Sequence, residues 1–286
     1  MIIVKITGGL GNQLFQYAIG KALSLKLGCE LVLDISFYPQ QTLRKYELEQ
    51  FQIEARLATK SEINKAGGGH NIVARLIRRV GLTSLLYPKY IKEIESTVYL
   101  NAIDNCNVGS YLDGYWQNPS YFDEYKEQLG IELTPIRDIS KQAQVWLERI
   151  EADNSVSLHV RRGDYALNEH TNSVHGLCSV EYYQKAVEYM HTKLDNPTFY
   201  IFSDDIQWCK NNLDSIGNLN FVDDTKTAID DLILMKNCKA NIIANSTFSW
   251  WGAYLGGSNF VAAPISWFSE LSRNNQQLLP CKWRAF

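Results

Sequence analysis

From Val156 to Ala263 the chain alternates short apolar runs with segments whose apolar residues recur at helical spacing. Strands are predicted over Val156–Val160, Thr198–Phe202, Leu219–Val222, Asn241–Ala244 and Phe260–Ala263. Helices are predicted between them over about Ser179–Leu194, Ile206–Leu213, Ala228–Cys238 and Thr247–Leu255. A chain that crosses a helix between successive strands returns parallel to its start, so this pattern specifies a doubly wound parallel sheet. The N-terminus opens in the same way. Ile2–Ile6 runs into the turn Thr7-Gly8-Gly9-Leu10-Gly11, and Asn12 is suited to cap a helix carrying Phe15, Ala18, Ile19, Ala22, Leu23 and Leu27. Gly28 stops that helix and Glu30–Asp34 forms the next strand. At 286 residues and 45% hydrophobic content the chain can bury two such domains. A helix from Ser140 ends in the polar run Glu151-Ala152-Asp153-Asn154, which sets the expected boundary: an N-terminal domain over 1–152 and a C-terminal domain over 153–286, facing each other across a cleft. Gly109–Gln117 reads as a strand entering a helix at Asn118-Pro119-Ser120. Residues 37–110 otherwise give no assignable topology.

Composition removes several function classes. A formal net charge of -3 supplies no basic field for nucleic acid, so any anionic ligand must be held locally. The six cysteines show neither a CxxC pair nor metal spacing, which fits buried free thiols in a reducing compartment. The opening MIIVKITGGLGNQLF lacks the apolar core of a secretory signal, and no apolar run is long enough to span a bilayer. The expectation is a cytoplasmic protein. The basic amphipathic stretch Ile72–Val80, with Arg75, Arg78 and Arg79, suits either a helix packed on the first domain or a peripheral contact with an anionic membrane.

Four clusters fall at the carboxyl ends of predicted strands, where open α/β sheets bind ligands. His159-Val160-Arg161-Arg162-Gly163-Asp164-Tyr165 brings two arginines beside a glycine and a carboxylate. Arginine's planar fork matches phosphate oxygens, and Asp164 is placed to hold one guanidinium; the alternative is a surface ion-pair network. Asn245-Ser246-Thr247-Phe248 precedes a helix and so offers hydroxyls and unpaired N–H groups to an anion, or simple N-capping. Phe202-Ser203-Asp204-Asp205 puts carboxylates at the same edge, with Asp204 suited to a base or ribose. The pairs Asp223-Asp224 and Asp230-Asp231 read as surface or capping acids, and none has the Asp-x-Asp spacing of a metal-dependent transferase. In the N-terminal turn, Gly9 and Gly11 permit close backbone approach, while Asn12 and Gln13 offer amides to sugar hydroxyls. Gly9-Leu10-Gly11 with Asp34 also mimics a dinucleotide fingerprint, but the third glycine position is Leu14.

Together, the HVRRGDY segment at His159–Tyr165, the GGLGNQLFQYA opening at Gly8–Ala18, ANSTFSWWGAYL at Ala244–Leu255, Gly114-Tyr115-Trp116-Gln117 and the SDD segment resemble the α-1,2-fucosyltransferases of glycosyltransferase family eleven. The resemblance implies a GT-B architecture of two Rossmann-like domains, with the donor GDP-fucose in the second. It implies metal-independent transfer, with inversion, to the 2-hydroxyl of a galactose-terminated oligosaccharide or lipid-linked glycan, and no cofactor. By the same similarity Arg161 meets the β-phosphate, His159 and Asp204 the guanosine, and Ser246 and Thr247 cradle phosphate oxygens, with Arg162, Asn245 and Phe248 also on the donor side. Asn12, Trp116, Gln117 and His175 lie on the sugar side. The base that takes the acceptor proton is Asp164 or Glu169, and a glutamate at a similar interval in α-1,6-fucosyltransferases favours Glu169. A protein O-fucosyltransferase or a silent glycan-binding relative is the rival reading.

Overall fold

A computed structural model describes residues 1–69, 76–77, 79, 83–95, 97–163, 176–270 and 276–286. The chain forms two compact units, Met1–Ile136 and Arg137–Phe286. In the first, the strands β1 (Ile2–Lys5), β2 (Leu31–Asp34), β3 (Arg56–Leu57), β4 (Tyr90–Lys92) and β5 (Tyr111–Asp113) make one parallel sheet in the order β3-β2-β1-β5-β4. Helix α1 spans Leu10–Lys26, followed in this unit by α2 (Lys60–Lys65), α3 (Thr83–Leu86) and α4 (Lys126–Glu132). In the second, α5 (Lys141–Ala152) leads into β6 (Ser155–Val160), α6 (Val180–His191), β7 (Thr198–Ser203), α7 (Ile206–Asn212) and β8 (Leu219–Phe221). There follow α8 (Ala228–Asn237), β9 (Ala240–Ile242), α9 (Thr247–Gly256), β10 (Val261–Ala263) and β11 (Arg284–Ala285). This sheet is also parallel, in the order β11-β10-β9-β6-β7-β8. The GT-B-type pair of Rossmann-like sheets expected from the sequence is therefore present.

The strand orders fix where ligands sit. In the second sheet the chain winds outward from β6 to β8 and restarts beside β6 at β9, so its topological switch lies between β6 and β9; in the first it winds outward from β1 to β3, after which β4 takes the far edge and β5 the place beside β1.

Helix α1 is buried on nearly every side, with Gln13, Gln16 and Lys21 buried among its apolar residues. Gly20 makes that possible, since a Cβ there would lie 2.6 Å from a Val4 methyl and 2.7 Å from Leu31. The helix starts earlier than the sequence suggests. Gly9 is its N-cap, Asn12 lies in the first turn, and Gly11 is helical. The expected long strand to Gln117 is also shorter: β5 stops at Asp113, and Asn118 caps a single 3-10 turn, Pro119–Tyr121, through the Ser120 N–H.

The division between the units precedes the polar run at Glu151–Asn154 because α5 packs with the second sheet. Alternate residues of β7 face opposite sides. Phe199 and Ile201 pack with Tyr182, Tyr183 and Met190 of α6, whereas Tyr200 and Phe202 pack with Ala143 and Ile150 of α5 and Leu234 and Met235 of α8. Removing α5 would uncover that second face. Asp230, buried at the start of α8, accepts the Ser140 N–H at 3.0 Å and ties the two helices together. Trp250, Trp251 and Tyr254 are core. The cysteines are all free, with Cys106, Cys209 and Cys238 buried and Cys281 exposed. Among the described residues no helix is long and apolar enough to cross a membrane.

Candidate active site

The second sheet's switch point is built by the ends of β6, β7 and β9 and the start of α9. His159 is the fifth residue of β6, buried to 6% exposure, and its imidazole lies 6.0 Å from the Phe248 ring in the first turn of α9. Burial, reinforced by the Arg161 charge and opposed by Asp204, pushes the imidazole down to about 3, so it is neutral at any working pH. Its Nδ1 has no hydrogen-bond partner among the described residues. A buried, neutral and unpartnered ring nitrogen suits a ligand that supplies the missing bond.

Beside it, Arg161 Nη1 lies 2.9 Å from Asp204 Oδ2, and the other Asp204 oxygen accepts the Arg162 N–H at 2.8 Å. Asp204 therefore helps to orient the arginine; Asp164, given that part in the sequence reading, lies outside the described residues. Gly163 permits it: a Cβ at that position would lie 2.7 Å from Asp204 Oδ2. The Arg162 guanidinium is drawn elsewhere, lying 4.1 Å over the Trp208 ring with its Nε 3.5 Å from Asp205, which itself caps α7 through the Trp208 N–H. Ser246 is the N-cap of α9 but makes no side-chain capping bond, and the first turn carries no acid. The positive end of a ten-residue helix thus stands at the switch point without an internal counter-charge. Asn245 does not face a ligand with its amide. Its Nδ2 donates to the Gly176 and Trp267 carbonyls at 3.3 and 3.4 Å, and its Oδ1 accepts from the Cys178 thiol at 3.5 Å. It shapes the loop instead.

The carboxyl end of the first sheet is of another kind. Gln13 is fully buried, and its amide is used by backbone: Nε2 donates to the Gly8 and Lys45 carbonyls at 3.1 and 2.8 Å, while Oε1 accepts the Glu47 N–H at 2.9 Å. The expectation that Gln13 presents its amide to sugar gives way to a staple between two loops. Asn12 remains half-buried, with its Oδ1 accepting from Gln117 Nε2 at 3.0 Å. Trp116 is fully buried, so it is not an open platform, and its φ of 58° lies in the left-handed region. Asp34 accepts the Tyr111 hydroxyl at 2.5 Å in a buried pair and is not placed for a ribose, which removes the support for a dinucleotide fingerprint.

Glu93, immediately after β4, escaped the sequence reading because it sits in the unassigned stretch. It accepts the Tyr115 and Trp116 N–H groups at 2.5 and 2.8 Å. Burial lifts its carboxyl to about 7 against the lowering effect of those two bonds, with Asp113 adding to the rise. The only sequence signal was a charged residue closing the apolar pair Tyr90-Ile91. Asp164, Glu169 and His175, expected at the site, lie outside the described residues, as do His170, Asn172 and most of the Ile72–Val80 stretch.

Comparison with known proteins agrees with this geometry. The model of glycosyl transferase family 11 matches residues 1–283. An alpha-1,2-colitosyltransferase of Escherichia coli is 36% identical over 99% of this chain and 98% of its own length. The O-antigen biosynthesis glycosyltransferase WbnK, also of Escherichia coli, is 33% identical over 97% and 98%. A galactoside alpha-(1,2)-fucosyltransferase of Leontocebus fuscicollis is 29% identical over 59% of this chain and 50% of its own. Among solved structures, the fucosyltransferase NodZ from Bradyrhizobium superposes with a TM-score of 0.51 at 12% identity, covering 88% and 91% of the two chains. An Arabidopsis thaliana fucosyltransferase in complex with GDP gives 0.51 at 13%, covering 90% and 68%. At such identities the structures speak for the fold alone. The family match over nearly the whole chain, joined to two parallel sheets with an arginine-bearing switch point, establishes that this chain belongs to glycosyl transferase family 11.

Proposed function

We propose that the protein moves L-fucose from GDP-β-L-fucose to the 2-hydroxyl of a terminal β-galactoside, with inversion and without a metal. The observation that carries this reading is the Arg161–Asp204 pair beside the uncapped start of α9. Cleavage of the sugar–phosphate bond leaves negative charge on the diphosphate. A fixed guanidinium and helix N–H groups meet that charge as it develops, with no reorganisation needed. Buried His159 supplies a neutral ring nitrogen to the nucleotide, and Asp204 acts chiefly by holding Arg161. The acceptor hydroxyl attacks the anomeric carbon from the face opposite the diphosphate and yields its proton to a carboxylate, for which Asp164 and Glu169 are the candidates by sequence. On this reading the first unit takes the acceptor and the second the donor. The alpha-1,2 linkage and galactoside in the names of the relatives support the regiochemistry.

A second donor reading has its own support, since the relative at 36% identity is a colitosyltransferase. Colitose is fucose without its 3-hydroxyl, so both donors offer the same diphosphate to Arg161. The deciding experiment mixes purified protein with GDP-fucose or GDP-colitose and a panel of β-galactosides in EDTA, reads GDP release, and assigns the product linkage by NMR. Acceptor-dependent release giving Fucα1-2Gal establishes the reaction. Release with GDP-colitose alone replaces the donor, and loss of turnover in EDTA that a divalent metal restores refutes metal independence.

A further inference from the structure

The turn after β5 is held in an uncommon way. Trp116, a bulky residue, adopts φ 58°, a strained conformation that persists only where its surroundings impose it. Glu93 imposes it. The Glu93 N–H continues the β4–β5 ladder by donating to the Asp113 carbonyl at 3.0 Å, and the carboxylate then takes the next two free amides of the partner strand, Tyr115 and Trp116. Gly114 lets the side chain reach them, since a Cβ there would fall 2.4 Å from Glu93 Cβ. Burying a carboxylate against two amides is expensive where a turn could be closed by backbone alone. The turn has a cargo: Tyr115 is 43% exposed, large for an aromatic residue beside a buried tryptophan, and Gln117 joins Asn12 of the glycine turn at 3.0 Å. Trp116 Nε1 is buried without a partner among the described residues.

Resting on the function proposed above, we infer that Glu93 is a positioning residue for the sugar acceptor. By clamping the Tyr115 and Trp116 amides it presents the half-exposed Tyr115 ring and fixes the next residue, buried Gln117, whose amide in turn holds the half-buried Asn12 amide. An aromatic face flanked by side-chain amides is the chemistry that recognises a pyranose, whose apolar C–H face and hydroxyl rim need both. These residues follow the carboxyl ends of β1, β4 and β5, the edge at which an open parallel sheet binds its ligand.

Steady-state kinetics with the acceptor and GDP-fucose varied separately tests this on Glu93→Gln and on Tyr115→Ala and Tyr115→Phe. Glu93→Gln replaces one acceptor oxygen by a donor that faces an N–H, so one charge-assisted bond is lost. The acceptor KM should rise about tenfold while the GDP-fucose KM stays within about twofold. Glu93→Asp, which keeps the charge, should recover part of the acceptor affinity. Tyr115→Ala should raise the acceptor KM similarly and Tyr115→Phe, which keeps the ring face, should restore it; this pair tests the surface even if the Glu93 variants fold poorly. Parallel rises in both KM values would reduce Glu93 to general scaffolding and overturn the inference, as would an unchanged acceptor KM in Tyr115→Ala. A wild-type protein that transfers to no galactoside would sink the functional reading and this inference with it.

Discussion

The carboxyl end of the first sheet carries glycines, amides and tyrosines around the carboxylates of Asp34, Glu93 and Asp113, whereas the switch point of the second carries two arginines, two aspartates and an uncapped helix start. Both sheets are parallel, and the groups that distinguish the two edges stand at the strand ends and in the segments that follow them. One edge offers neutral hydrogen-bonding groups and an aromatic face to a hydroxyl-rich ligand. The other offers oriented positive charge to an anion. Each also buries one titratable group that desolvation holds toward its neutral form: Glu93, lifted to about 7, and His159, pushed down to about 3. The comparison teaches that a Rossmann-like sheet supplies a place, and that a few residues after each strand decide what the place is for.

The sharpest way to break it is at Arg161. Arg161→Ala should lower kcat by about a thousandfold, because a donor aimed at developing charge is lost, with little change in melting temperature. Near-normal turnover would remove the second edge from phosphate chemistry. Gly163→Ala is subtler: its methyl meets Asp204 Oδ2 and loosens the carboxylate from Arg161 and from the Arg162 amide, which should cost about ten- to a hundredfold in kcat/KM for the donor. An equal loss seen only in the acceptor KM would reverse the roles given to the two edges. Gln13→Ala should lower stability by about 2 kcal/mol, since three backbone groups lose their partner, and unfolding by urea measures it. A variant that melts normally but loses acceptor binding would return Gln13 to the ligand side.

The smallest effects concern pH, and they should have opposite signs. Glu93 has a raised value in the folded state, so between about 4.5 and 7 the native form binds more protons than the unfolded chain and its contribution to stability falls as pH rises. His159 is depressed, so between about 3 and 6.5 the unfolded chain binds more protons and the contribution rises with pH. Relative to wild type, Glu93→Gln should therefore gain stability as pH is raised from 4.5 to 6.5, and His159→Gln should gain it as pH is lowered. The difference curves should change by about 1.4 kcal/mol per pH unit at most. Curves of the same sign would show that burial does not hold both groups neutral.

Much of the second unit was legible because parallel strands buried on both faces leave an unmistakable apolar run, as in Thr198–Phe202. The unit boundary was misplaced because Glu151–Asn154 looks like a linker, while the partners that bind α5, Tyr200, Phe202 and Leu234, lie far along the chain. Arg161 and the Ser246-Thr247 helix start were readable from local chemistry. Asn245 and Gln13 were not, because an amide that can serve a ligand can equally serve a backbone carbonyl, and only the neighbouring loops decide which.

Apolar periodicity and turn chemistry, both properties of residues close in sequence, determined the two parallel sheets, the helix on the glycine turn and the arginine-bearing strand end. Tertiary structure alone decided that Asp204, at the end of the neighbouring strand, reaches Arg161, that Trp116 turns inward in a left-handed conformation, and that Glu93 spans two strands to hold the Tyr115 turn. Those outcomes depend on which strands become neighbours. Strand order is settled by the packing of distant segments, so pairs such as Arg161 with Asp204, or Glu93 with Trp116, meet only when the sheets close.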